Sequence, residues 1–368
     1  MKIKTSRCLS IKPTSDGCEI YNFLTGYAVT AKKGAIELLF SATDPISATD
    51  LAQKFPSLSG ETLADMVAKF LAAGVLIGSD SPQDKLEKQY SEKWEWGDIA
   101  AHFHFGIKDT PYLQPEEERT WLKSRSDERK TPELFSEIQI KENKIKLKEF
   151  EIDTHLRETM YDRRSERRFS QRSVDLDVIS DCLFSGLGIV GFYDEPIYGR
   201  LPLKMAPSGG ARNPYEGYLL VQRVNGLKPG IYHYSAVENA LELVNKSVPV
   251  LGKVIGGQEW ANEAAAMILL VANLDRDMWK YPHPAAYRPV LIEAGHIGQN
   301  ILLTATDHGL SCCPTAALSD SYIDQYIARD FLLQAPTYTV SIGYAQDEYS
   351  SWYDSRPNRL GSFPTSDG

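Results

Sequence analysis

Four stretches in the second half of this 368-residue chain combine residue types that could do chemistry. Arg163-Arg164-Ser165-Glu166-Arg167-Arg168-Phe169 crowds guanidinium groups around a hydroxyl. Guanidinium forks grip phosphate, and a hydroxyl can add a further hydrogen bond. On charge alone, a solvated basic turn beside Asp162 and Glu166 is the competing reading, and the favoured one. Pro207-Ser208-Gly209-Gly210-Ala211-Arg212-Asn213-Pro214 runs into an apolar stretch, and paired glycines let backbone approach a flat ligand or a phosphate closely. An ordinary loop before a strand explains it about as well. The chain lacks both the phosphate-loop pattern G-x-x-x-x-G-K-[ST] and a strand-borne G-x-G-x-x-G, so nothing supports ATP or a Rossmann cofactor.

Trp279-Lys280-Tyr281 sets an amine beside a phenol, which can act as acid and base if burial or a neighbouring charge shifts their proton affinities. Such pairs also arise by chance at surfaces. Cys312 and Cys313 precede Pro314 and Thr315. Adjacent cysteines on a strand point to opposite faces, so they fill a core rather than chelate one metal. His296, near Gln299 and Asn300, reads as a satisfied core histidine rather than a catalytic one.

The elements that must position these groups have recognisable periods. EGYLLVQRV, AAMILLVANL and TYTVSIGY read as buried strands. VLIEAGHIGQNILLTATDHG reads as a long, mostly buried helix, with Ile292, Ile297, Ile301 and Leu302 inward and a stop at Gly309. Far upstream, Ser47 caps a short helix with Asp50 three residues on. Leu63, Met66, Val67, Phe70 and Leu71 line one face of a longer helix stopped by Gly74, and a β-like GVLIGS follows. This is a winged-helix order. It divides the chain into a winged-helix-like module over 1–85, a charged and aromatic connector over 86–150, and an α+β unit over 151–368. WEWGDIAAHFHFGIKD is too aromatic for a merely solvated linker, so the connector is expected to pack on one or both neighbours.

Composition narrows the classes. Hydrophobic residues at 42% and charged residues at 24%, with no apolar run of spanning length, exclude a membrane span. The N-terminus lacks the apolar core of a secretory signal, so a cytoplasmic protein is expected. Five cysteines without metal-ligand spacing argue against a disulfide framework and a zinc site. A net charge of −9 disfavours nucleic acid as a partner. The module over 1–85 is a packing domain or a peptide-docking domain before it is a DNA binder.

Taken in order, RRSERRF, APSGGARNPYEGYLLV, NGLKPGIYHY and AAYRPVLIEAGHIGQNILLTATDHGLSCCPTAAL resemble the SagB/ThcOx family of dehydrogenases, which includes the McbC-type azoline oxidases of the nitroreductase superfamily. The agreement spans about 160 to 345. The first module resembles PqqD-like domains that capture leader peptides.

The resemblance implies a nitroreductase-like α/β/α sandwich with a mostly antiparallel sheet, an intertwined homodimer and FMN at the subunit interface. It implies that Arg163, Arg164, Ser165 and Arg167 hold the FMN phosphate and ribityl chain, with Arg356, or Arg359, completing the phosphate site. Pro207, Ser208 and Gly209 would lie along the isoalloxazine ring, and Cys313, Pro314 and Thr315 at its reactive edge. Lys280 and Tyr281 coincide with the pair that serves azoline oxidation, in which Cα of a thiazoline or oxazoline loses a proton while hydride leaves Cβ for flavin N5. Implied partners are a peptide-derived substrate and a leader peptide or cyclodehydratase. The alternatives are an NAD(P)H-dependent nitro or quinone reductase and a non-catalytic peptide-binding scaffold.

Overall fold

Runs of β-branched and aromatic residues bounded by Gly, Asn and Pro build the sheet at the centre of the molecule. The computed structural model describes residues 2–32, 34–129, 151–197 and 199–346. Six strands lie in the spatial order Ala240–Asn245, Gly230–Ser235, Tyr215–Val221, Ala266–Asn273, Gln334–Gly343, Ser311–Thr315, and every neighbouring pair is antiparallel. Ser165 adds a single parallel bridge to Cys312 on the outermost strand.

The period of two decides the layers. Leu219, Ile268, Leu270, Cys312 and Val340 face one core, while Leu220, Met267, Leu269, Val271 and Cys313 face the other. The first face is covered by the helices Leu176–Leu187 and Tyr287–Asp307, the second by shorter pieces at Leu251–Val254, Glu259–Glu263 and Asp320–Ile323. The central strand Ala266–Asn273 is therefore buried on both sides as far as Ala272, and each fully buried Leu or Ile contributes about 1.5–3 kcal/mol. The two long helices touch at Gly186, where an added Cβ would lie 2.8 Å from Ile301 Cγ1, so a larger residue would force them apart. This is the α+β sandwich expected, and the two adjacent cysteines do enter opposite cores, each 1% exposed.

The N-terminal region has its own core. Strands Ile46–Ser47, Lys2–Thr5 and Leu76–Gly78 form one antiparallel sheet, the helices Gly34–Ser41, Ala48–Lys54 and Gly60–Ala72 pack with it, and Leu9–Pro13, Gly17–Asn22 and Tyr27–Lys32 form a separate meander. Ser47 Oγ accepts the Asp50 N–H at 3.1 Å, capping the short helix as its sequence indicates. Gly74 adopts φ 63° just past the longer one.

The connector contributes helices Pro82–Lys93, Gly97–Gly106 and Pro115–Glu128. The first runs across residue 85. Its aromatic residues are core: Tyr90, Trp94, Trp96 and Phe105 join Phe23 of the N-terminal meander and Tyr287 of the sandwich in one continuous cluster. No helix among the described residues is long and apolar enough to cross a membrane.

Candidate functional site

The basic segment is fixed against the outer edge of the sheet. The Glu166 N–H donates to the Cys312 carbonyl at 2.9 Å and the Ser170 N–H to the Tyr344 carbonyl at 2.8 Å. Glu166, buried, turns inward, and its Oε1 accepts from the backbone N–H groups of Arg167 and Arg168 at 2.8 and 2.7 Å. Arg164 folds back onto the carbonyls of Tyr161 and Arg163 at the end of the helix His155–Asp162, where a cation caps unsatisfied carbonyls. Arg163 and Arg167 differ. Among the described residues no side-chain hydrogen bond or ion pair is made by either, and their charges bear on the Cys312 and Cys313 thiols respectively. Burial dominates there: it pushes the Cys312 thiol up to about 12 and raises Cys313 as well, so both are inert thiols.

The second cluster forms around a glycine. The loop after Pro207 makes a 3₁₀ turn over Gly209–Ala211, with Gly210 at φ 60° and Asn213 at φ 48°. The Asn213 N–H donates to Ser208 Oγ at 2.8 Å, and Asn213 Nδ2 donates to the Ala211 carbonyl at 3.0 Å. Lys280 and Tyr281 sit directly on this turn. A Cβ at Gly210 would lie 2.4 Å from Tyr281 Oη and 2.7 Å from Lys280 Nζ, so only glycine leaves room for the pair. Lys280 Nζ also donates to the Gly210 carbonyl at 3.3 Å.

Three groups that the sequence reading passed over hold this second cluster. Glu293, on the long helix, has polar contacts with the Ser208 hydroxyl and the Gly209 N–H, yet burial holds its carboxyl up at about 7, with the Asp277 charge adding. Asp277, 1% exposed, accepts the backbone N–H groups of Lys280 and Tyr281 on its carbonyl at 3.1 and 2.8 Å. Burial raises its own carboxyl to about 6. Trp96 of the connector donates its indole N–H to the Tyr281 carbonyl at 2.9 Å and packs on Tyr287 at 5.2 Å between ring centroids. The signals were present, in the EAGH stretch and in the aromatic connector, but neither states its partner.

The structure thus sets Arg163, Ser165 and Arg167 beside Cys312 and Cys313, at the start of the strand that runs on to Pro314 and Thr315, and sets Lys280 and Tyr281 on Gly210, next to Pro207, Ser208 and Gly209 in the chain. It does not bring the two groups together within one chain. The strands Ala266–Asn273 and Gln334–Gly343 intervene between the strand that follows the glycine loop and the edge strand, a separation of three strand steps of about 4.8 Å each. Two expectations are corrected. His296 is exposed rather than a core histidine. Ile292 is 52% exposed rather than buried, because the helix is amphipathic and Leu291, Ile292, Gly295, His296 and Gln299 share its outer face. Arg356 and Arg359 lie outside the described residues.

The antiparallel sandwich, with its arginine-lined sheet edge and its glycine-rich loop, has the architecture of a nitroreductase-type oxidoreductase domain. Residues 160–344 match the Nitroreductase family, and the chain belongs to it. It is 27% identical over 138 residues to the trifolitoxin-processing protein TfxB of Rhizobium leguminosarum bv. trifolii, covering 36% of this chain and 37% of that one. It is 28% identical over 149 residues to the microcin B17-processing protein McbC of Escherichia coli, covering 39% and 54%. The matched region therefore spans about half or less of each of these relatives. Among solved structures, a chain of the E. coli microcin synthetase McbBCD complex with truncated pro-MccB17 bound aligns at TM-score 0.44 and 20% identity, covering 64% of this chain and 96% of that one.

Proposed function

We propose that this chain is an FMN-dependent dehydrogenase that acts on a peptide or peptide-derived substrate, oxidising thiazoline or oxazoline rings to thiazole or oxazole, as a homodimer. The observation that carries the reading is the separation of the two clusters. Arg163 and Arg167 are two guanidinium groups without hydrogen-bond partners among the described residues, and they stand beside the edge strand that carries Cys313, Pro314 and Thr315; the two guanidinium groups fit a flavin phosphate. The polar pair on Gly210 stands elsewhere in the same chain. Two copies related by a two-fold axis bring the edge of one to the loop of the other. The exposed apolar residues of the long helix and of the hairpin Ile189–Glu195 and Gly199–Lys204, among them Ile292, Val190 and Phe192, supply surface for such an association.

Bound FMN would supply the hydride acceptor. The chain's own part is proton management and placement. The Lys280–Tyr281 pair takes the proton from Cα of the ring, and the turn at Gly210 holds the pair against the loop that would lie along the flavin. Proximity of a fixed base to a fixed ring is worth orders of magnitude in rate. The names of TfxB and McbC, both processing proteins, support a role in peptide maturation. The N-terminal module is assigned to docking a leader peptide or a partner such as a cyclodehydratase.

The test is direct. The purified protein is expected to be yellow with one FMN per chain and to oxidise a thiazoline-bearing peptide without added nicotinamide, and the Tyr281→Phe and Lys280→Ala variants are expected to keep FMN and lose turnover. A colourless protein that FMN cannot reconstitute overturns the flavin reading. Rapid flavin reduction by NAD(P)H with no peptide present would replace the dehydrogenase by a nitro or quinone reductase.

A further inference from the structure

A cavity of about 410 Å³ adjoins the glycine-rich loop, which contributes Ala211, Arg212 and Asn213 to its wall. The other polar groups come from separate elements: Lys204 at the end of the strand Gly199–Lys204, Arg276 on the short helix Asp275–Met278, and Glu216 with His233 on two paired strands of the sheet. Tyr218 is paired with His233, so Glu216, two residues from Tyr218, lies on the same face as His233.

This wall carries more positive than negative charge. Lys204, Arg212 and Arg276 stand against one lining carboxylate, Glu216. That carboxylate is committed on both oxygens: Oε1 accepts from Arg276, and Oε2 lies 3.0 Å from His233 Nε2. Two of the cations keep donors to spare. Arg212 spends its Nε on the Arg276 carbonyl at 3.0 Å and lays its guanidinium 4.9 Å from the Trp279 ring centroid, so both terminal nitrogens are without a hydrogen-bond partner among the described residues. Lys204 makes neither a hydrogen bond nor an ion pair among the described residues. Burial lowers its pKa against the pull of Glu216 and Glu293, which act on it through space while bonded elsewhere.

A guanidinium fork and an ammonium on one cavity recognise an anion, and the fork matches the two oxygens of a carboxylate. Ile189, Leu201 and Val237 supply apolar wall beside them. We infer that the cavity binds a carboxylate carried on an apolar group, with Arg212 and Lys204 donating to its oxygens and the apolar wall packing on the group. A peptide C-terminus with an apolar last residue and a small free acid share this chemistry. Naming a peptide rests on the proposed function; the site itself rests on Lys204, Arg212 and the cavity. The loop that holds Arg212 also carries Gly210, on which Lys280 and Tyr281 rest, so a peptide anchored here lies alongside the pair.

Calorimetry on the full-length protein tests the site with four probes: N-acetyl-leucyl-leucine, its C-terminal amide, isovalerate and inorganic phosphate. The dipeptide acid is expected to bind at least about tenfold more tightly than its amide, and Lys204→Met to weaken both acids by about tenfold or more while leaving the amide unchanged. Val237→Glu, at a position 83% exposed, sets a like charge at the rim and is expected to weaken both acids too; it decides the matter if the Lys204 variant fails to fold. Tighter binding of the dipeptide acid than of isovalerate identifies a peptide terminus as the occupant, and the reverse a free acid. Failure of both acids to bind, unchanged acid binding in the folded variants, or phosphate binding as tightly as the acids overturns the site. FMN content and turnover are measured in parallel: a colourless, inactive protein that keeps the calorimetric contrast sinks the proposed function and leaves the site standing.

Discussion

The indole N–H of Trp96 meets the carbonyl of Tyr281 at 2.9 Å across 185 residues of chain, tying the connector to the pair proposed to manage the proton. Trp96 is fully buried, so its N–H has this partner in place of water.

Trp96→Phe keeps an aromatic ring in the core but leaves the Tyr281 carbonyl without its donor, a loss of about 1–3 kcal/mol where no water replaces it. With Trp96 as a positioning residue, kcat for the thiazoline peptide is expected to fall with KM little changed and FMN content intact. A change in thermal stability alone, with kcat and its pH profile unaltered, would show that the indole only packs.

Gly210→Ala tests the cradle. The new methyl would fall 2.4 Å from Tyr281 Oη and 2.7 Å from Lys280 Nζ, at a positive φ that an L side chain tolerates poorly. Because both contacts are ends of side chains, the fold should survive while the pair is displaced. Turnover is expected to drop at least about as far as in Lys280→Ala, with strain of roughly 1–3 kcal/mol seen in denaturant unfolding.

Glu293 gives the pH dependence of stability a definite sign. Its folded value of about 7 lies above the ordinary 4.5, so between those values the folded chain holds the proton that the unfolded chain has lost. Stability therefore falls as pH rises through that window and the loss is complete above about 7, amounting to at most about 3 kcal/mol. Asp277, raised to about 6, acts in the same direction. Glu293→Gln is expected to flatten the decline and to stabilise the protein more at about pH 8 than at about pH 5, because the amide never ionises. Chemical unfolding at the two pH values measures it.

Ile292→Asp places a charge on the exposed face of the long helix. If that face is covered by a second copy, the variant is expected to sediment as a monomer and to lose FMN on dilution, with the folded sandwich preserved by circular dichroism. A variant that remains dimeric and yellow would remove this face from the interface.

Much of the fold was legible one element at a time. The unbroken apolar runs in GYLLV and AMILLVA marked buried strands, and Ser47 with Asp50 marked a helix start that the structure keeps. The order of motifs from Arg163 to Thr315 was enough to indicate the family, because each motif carries its own local conformation: glycines where φ is positive, arginines clustered on one short segment. His296 and Ile292 were misjudged for a related reason, since a helix rich in apolar residues does not say how wide its buried stripe is.

What only the tertiary structure decided is which groups meet. Lys280 and Tyr281 rest on Gly210, Glu293 reaches Ser208 and Gly209, Trp96 holds Tyr281, and two strands intervene between the arginine-lined edge strand and the strand that follows the glycine loop. Hydrophobic periodicity records that a face is covered, not what covers it. The partners are chosen by strand order and helix packing, which join residues far apart in the chain.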